Sequence, residues 1–158
     1  MAATAAIATI ALIVHILAAV VWVGGMFFAY LVLRPATAAL DPAPRLVLWS
    51  HVLQRFFAWV FAAIVLLLAS GFWMVFGLYG GFAGIDLYIN LMMGLGILMM
   101  LLFLHLYFAP WRRFRGVVRR QDWLGGARLL AQIRVIVLTN LVLGLVVVAI
   151  GGSGRYWP

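Results

Sequence analysis

A chain of 158 residues that is 68% apolar and 9% charged is not a soluble domain, which is about half apolar and about a quarter charged. Its 11 basic residues, all arginine, face three acids and give a net charge of +8. With that apolar content and no separate basic segment, the charge does not point to nucleic acid. The absence of cysteine removes disulfides, thiolate metal sites, iron–sulfur clusters and thiol catalysis.

A helix that crosses a bilayer needs about 20 largely apolar residues. Four such stretches occur, at about 4–33, 56–79, 87–109 and 135–151. They predict an all-α integral membrane four-helix bundle, a single transmembrane domain over 1–158. The stretch from Met1 to Val14 has no positive charge and the apolar run continues well beyond it, so a cleavable signal peptide is not expected. Arg34-Pro35 is expected to stop the first helix, because a residue before proline disfavours helical geometry. Asp41-Pro42 reads as an N-cap with proline in the first turn. The second helix would then start before the membrane and carry Arg45, His51 and Arg55 on an extension at the water interface. Gly77 to Gly84 forms a glycine-rich turn. A basic loop follows the third span, with Arg112, Arg113, Arg115, Arg119, Arg120 and Arg128, and Arg134 opens the fourth helix.

Ten of the 11 arginines lie in or beside the first and third connections, and Arg155 alone lies at the other end. The positive-inside rule assigns those connections to the cytoplasm, with both termini outside. It describes a multi-pass membrane protein, with anionic lipids as partners of its cytoplasmic face. Trp111, Trp123, Tyr79, Tyr156 and Trp157 fit an aromatic belt near the boundaries.

The spans contain no charged residue, so histidine, amide and thioether groups carry the functional signal. At about 1.5 Å per residue, His15 lies roughly 28 Å from Arg34, at the outer edge of the hydrocarbon. Asn90, Met92 and Met93 fall at a similar depth, with Trp73 near them, and make a candidate outer constellation with His15. An inner group comprises His105 and Asn140, expected to hydrogen-bond each other, with Thr139 beside them and His51 and Arg55 at the rim. Two chemistries follow. A b-type haem needs axial His or His/Met ligands and small residues for clearance. Gly24, Gly25, Gly71, Gly94, Gly96 and Gly144 offer such surfaces on all four helices. The three histidines do not share one depth, which favours a single-His or His/Met haem. Arg34, Arg45 or Arg55 would hold its propionates only if it sat toward the cytoplasm, on His105 or His51. Copper is the alternative, since thioether and imidazole suit Cu(I), with His15, Met92 and Met93 as ligands. Met92 and Met99, like Met93 and Met100, repeat at seven residues along one face. The three acids, Asp41, Asp86 and Asp122, all lie outside the spans and give hydrolytic catalysis no support.

His15, Trp22, Gly24-Gly25 and Arg34-Pro35 form the pattern His-x6-Trp-x-Gly-Gly-x8-Arg-Pro. This resembles the first helix of the copper-resistance protein D (CopD-like) membrane family, and the likeness runs through all four spans, with Gly71 ending the second helix and Arg134 opening the fourth. A more distant similarity is to HemJ-type protoporphyrinogen oxidases, which share the His and Trp spacing. The first resemblance implies copper uptake or tolerance at the inner membrane; the second implies a b-type haem and a membrane oxidoreductase. Both families place a lysine early in helix three, where this chain has Asn90, and a glutamate early in helix four, where it has Asn140. The oxidases also carry an arginine where Leu31 stands. The expected function is thus a haem b or copper centre inside the bundle, in membrane redox chemistry or copper handling. His15, His105, Arg55 and Asn140 are its candidate residues. From another class, the chain would be a non-catalytic subunit whose glycine-lined helices meet a membrane partner or a second copy.

Overall fold

The computed structural model describes residues 2–157. Four long apolar helices run through the chain: α1 (Thr4–Ala39), α2 (Pro42–Gly77), α3 (Leu87–Arg119) and α4 (Trp123–Tyr156). Among the described residues there is no strand. In hydrocarbon each backbone N–H and C=O must be satisfied inside the segment, and helices of this length do so locally. Large apolar side chains on every helix, including Ile10, Leu17, Val65, Leu101 and Val142, are exposed, as lipid-facing surface requires.

The helices outlast the predicted spans. α1 is not stopped at Arg34-Pro35: it passes through a π-helical segment, Phe28–Leu33, continues over Arg34–Ala36 and closes in a 3₁₀ turn, Thr37–Ala39. Leu40 then turns to extended geometry. α3 repeats the device, with a π-helical segment at Tyr107–Trp111 around Pro110. A proline in a regular helix clashes with the carbonyl one turn back and lacks its own donor. A wider π turn at that point relieves both problems and lets the helix go on.

The expected basic loop is likewise mostly helix. Trp111, Phe114 and Val118 are buried at the 3–4-residue spacing of one helical face. Arg112, Arg113, Arg115, Arg119 and Arg120 are exposed on the other. Gln121, at φ 60°, makes the turn, and Asp122 caps α4 by accepting from the Gly125 N–H at 2.8 Å. α2 starts at Pro42 as its sequence predicts, although Asp41 makes no side-chain capping bond. Between α2 and α3, Gly80 (φ 70°) and Gly81 (φ 119°) take the left-handed geometry that glycine adopts without a Cβ penalty.

α1 packs chiefly on α2, and α3 on α4, while α4 also touches α1 and α2. The two pairs are joined through the half of the bundle nearer the arginines. Phe57 is central there, in edge-to-face contact with Phe103 at 5.4 Å and Trp111 at 5.2 Å. Phe61 meets Tyr107 at 4.8 Å, and Trp22 of α1 reaches Phe103 of α3 at 6.2 Å. Such offset aromatic pairs stabilise beyond their buried area, which matters because lipid supplies no hydrophobic drive between helices. Trp111 is therefore a core residue, 2% exposed, and not part of an aromatic belt. Tyr79, Tyr156 and Trp157 are exposed, and Trp123 packs partly against the core.

Close approach depends on a few glycines. A Cβ on Gly25 would strike the Phe56 ring, one on Gly144 would come within 2.8 Å of Val23 Cγ2, and one on Gly154 would strike Tyr88. Gly24, Gly94 and Gly96 have nothing within 4 Å of a built Cβ, so the expected clearance surfaces at those positions are open space. The end of the bundle opposite the arginines is the less filled one. In α3 no residue before Met99 is buried, and in α1 none of the described side chains before Ala18 is.

Candidate functional site

His15 lies on α1 about three turns from its start, and its ring turns toward α2. Gly71 makes the approach possible: a Cβ there would stand 3.4 Å from His15 Cε1, so a larger side chain would press on the ring. One residue earlier, buried Ser70 places its Oγ 2.9 Å from His15 Nδ1. The serine hydroxyl has a single proton, and it is donated to the Leu66 carbonyl of its own helix. This arrangement accommodates the tautomer in which His15 Nδ1 carries the ring's proton and Ser70 Oγ accepts it. Nε2 is left with its lone pair. A hydrogen bond at one ring nitrogen that fixes the tautomer and raises the basicity of the other is the usual outer support of a metal-binding imidazole.

The other outer candidates do not join it. Asn90 is exposed, and its amide donates to the Asp86 carbonyl at 3.4 Å and the Ile85 carbonyl at 3.5 Å at the start of its own helix. Met92 lies on the α3–α4 seam, where its Sδ would be 3.3 Å from a Cβ on Gly151. Met93 is half-buried. The His15 imidazole thus belongs to the α1–α2 pair and the methionines to the α3–α4 pair. Among the described residues no group of three or more His, Cys, Asp or Glu side chains could enclose a metal ion.

The inner candidates separate as well. Asn140 is buried, but its amide donates to the Met99 backbone carbonyl at 3.1 Å and not to His105. It ties α4 to α3, while its Oδ1 is buried without a partner. His105 and Thr139 are exposed, as are His51 and Arg55 on α2. Thr139 donates to the Val135 carbonyl of its own helix at 3.1 Å. Met99 is a core residue against Gly144, so the Met92–Met99 row runs along the helix seam.

Composition and hydropathy did not single out Ser70 or Thr37. Ser70 reads as a small residue in an apolar run until the helix pairing is known. Its position one residue before Gly71 is the only local signal. Thr37 is buried, accepts from Trp49 Nε1 at 3.1 Å and donates to the Arg34 carbonyl at 3.1 Å, which pins the end of α1 to α2.

Four membrane-length helices, an imidazole held by a buried hydroxyl and an arginine-rich end define a polytopic helical membrane protein with a candidate ligand site inside one helix pair. The family model for copper resistance protein D matches residues 50–153, about two thirds of the chain, and the chain belongs to that family. It is accordingly a copper-resistance-related, multi-pass membrane protein of the bacterial inner membrane. The matched segment includes Ser70 and Gly71, while His15 precedes it. No curated protein and no solved structure matches the chain.

Proposed function

We propose that this protein handles copper in the membrane, with His15 supplying an imidazole ligand through Nε2. The observation that carries the reading is the His15–Ser70–Leu66 hydrogen-bond chain, which leaves Nε2 as a lone-pair donor in the less filled half of the bundle. Neutral imidazole and thioether are good donors for Cu(I). Met92 and Met93, on the α3–α4 pair, do not reach His15 in the described arrangement, so the imidazole alone is assigned. The family's link to copper resistance supports copper as the metal. The arginine distribution supports a cytoplasmic placement of the arginine-rich end, which would put His15 at the outer side.

The residues present do not fit a haem at His15. His51 and His105, the other histidines, are exposed and belong to the opposite half of the bundle. Arg34 lies 19 residues along the same rod, about 28 Å away, too far to hold propionates of a macrocycle seated at His15. The oxidase reading has no residue arrangement to carry it.

The test is a competition titration of the detergent-purified protein with a coloured Cu(I) chelator. Wild type is expected to withdraw one Cu(I) per chain, and His15→Ala to lose at least tenfold in affinity, about 1.4 kcal/mol. Retained affinity in His15→Ala, or no withdrawal by wild type, would overturn the proposal.

A further inference from the structure

At the opposite end from His15, the π-widened end of α1, the start of α2 and α4 leave an open cavity of about 470 Å³. This is within the range of small-ligand sites, about 300–1,000 Å³. Its walls bring together Arg34 at the end of α1, Arg45 in the first turn of α2 and Arg134 on α4, with Tyr30 and Pro35 between them. Arg34 stacks on the Tyr30 ring at 4.9 Å, which holds that guanidinium at the mouth. The Nε atoms of Arg45 and Arg134 are both buried and have no hydrogen-bond partner.

Three like charges in one cavity repel, and two unpaired buried donors each carry a desolvation cost. Such an arrangement persists where an anion offsets it. The chain's own carboxylates do not serve. Asp86 lies at the far end of the bundle, Asp122 is engaged as the cap of α4, and Asp41 is exposed at the start of α2.

We infer that Arg34, Arg45 and Arg134 form a binding site for a phosphate group. Guanidinium forks match the tetrahedral oxygens of phosphate in paired hydrogen bonds, and three of them suit a group that carries more than one charged oxygen. Depth agrees. Arg34 follows the apolar run of α1 and Arg134 precedes that of α4, so the cavity sits where the hydrocarbon gives way to the headgroup layer. The phosphate is supplied either by a lipid headgroup entering sideways or by a free anion from the aqueous side. The site is independent of the copper reading.

The test is thermal unfolding of delipidated protein in a non-ionic detergent at constant ionic strength, titrated in separate arms with inorganic phosphate and with micelles containing phosphatidylglycerol. Saturable stabilisation is expected in at least one arm. The phosphatidylglycerol arm alone identifies a lipid headgroup, and a response to phosphate identifies a free anion. Arg134→Gln and Arg45→Gln should each weaken the apparent affinity about tenfold. Arg128→Gln, exposed on the α4 extension, should leave it unchanged. Arg45→Lys keeps the charge and loses the fork; it should fall between wild type and Arg45→Gln, and it reads the site if Arg134→Gln does not fold. Absence of stabilisation in both arms, or equal losses in Arg128→Gln and Arg45→Gln, would overturn the inference.

Discussion

Gly144 is where α4 meets α1 and α3 at once, and alanine there tests the packing of the bundle directly. The added Cβ would stand 2.8 Å from Val23 Cγ2 and 3.1 Å from Met99 Cε. Met99 ends in a flexible thioether and can swing its methyl aside. Val23 is β-branched and stiff at χ1 in a helix, so relief there needs α1 itself to shift. Overpacking of this size costs about 1–3 kcal/mol, and with one of two clashes cheaply relieved we expect about 1–2 kcal/mol. The assay is reversible unfolding in mixed micelles of dodecyl maltoside and dodecyl sulfate. Val23→Ala vacates the space, so Gly144→Ala in that background should cost less by about 1 kcal/mol, within the range for residues in contact. Strict additivity of the two substitutions, or a Gly144→Ala protein as stable as wild type, would refute the described three-helix contact.

Other consequences follow from single interactions. Ser70→Ala removes the acceptor that fixes the His15 tautomer, and should lower Cu(I) affinity about 10–100-fold with little loss of fold; unchanged affinity would show that the hydroxyl plays no part. Asp122→Ala should destabilise the protein by about 1 kcal/mol through loss of the α4 cap, measured in the same unfolding assay against the neighbouring Gln121→Ala control. Partial desolvation chiefly, with the neighbouring Tyr88 second, raises the Tyr79 phenol above its ordinary value of about 10. Its contribution to stability is therefore complete below about pH 10 and is lost as pH rises through the higher folded value. The phenolate absorbance difference between wild type and Tyr79→Phe should emerge only above about pH 10; a transition at or below it would contradict the described partial desolvation.

The fold was largely legible because four apolar runs, two proline-bearing junctions and an uneven spread of arginine each carry a direct physical meaning. The π segments were not legible. Arg34-Pro35 and Pro110 signal a break by the ordinary rule for proline, whereas a wider turn beside each relieves the clash and lets the helix continue. For the same reason the arginines after Trp111 read as a loop, although Trp111, Phe114 and Val118 already had helical spacing. At the candidate site, depth along one helix could be counted from the sequence, which placed His15 away from the arginines. Rotation about the helix axis could not be counted. That missing angle separates His15 from Asn90 and Met92, exposes His105, and turns Asn140 to the Met99 carbonyl. Ser70 became visible only when α1 and α2 were brought together.

The central claim is that copper meets the His15 imidazole. X-ray absorption at the copper K-edge of Cu(I)-loaded protein tests it most directly, because an imidazole ligand leaves a characteristic outer-shell scattering pattern. That pattern is expected in wild type and in a His51→Ala, His105→Ala double variant, and is expected to be lost in His15→Ala. An imidazole signature that survives in His15→Ala, or vanishes in the double variant, would contradict it.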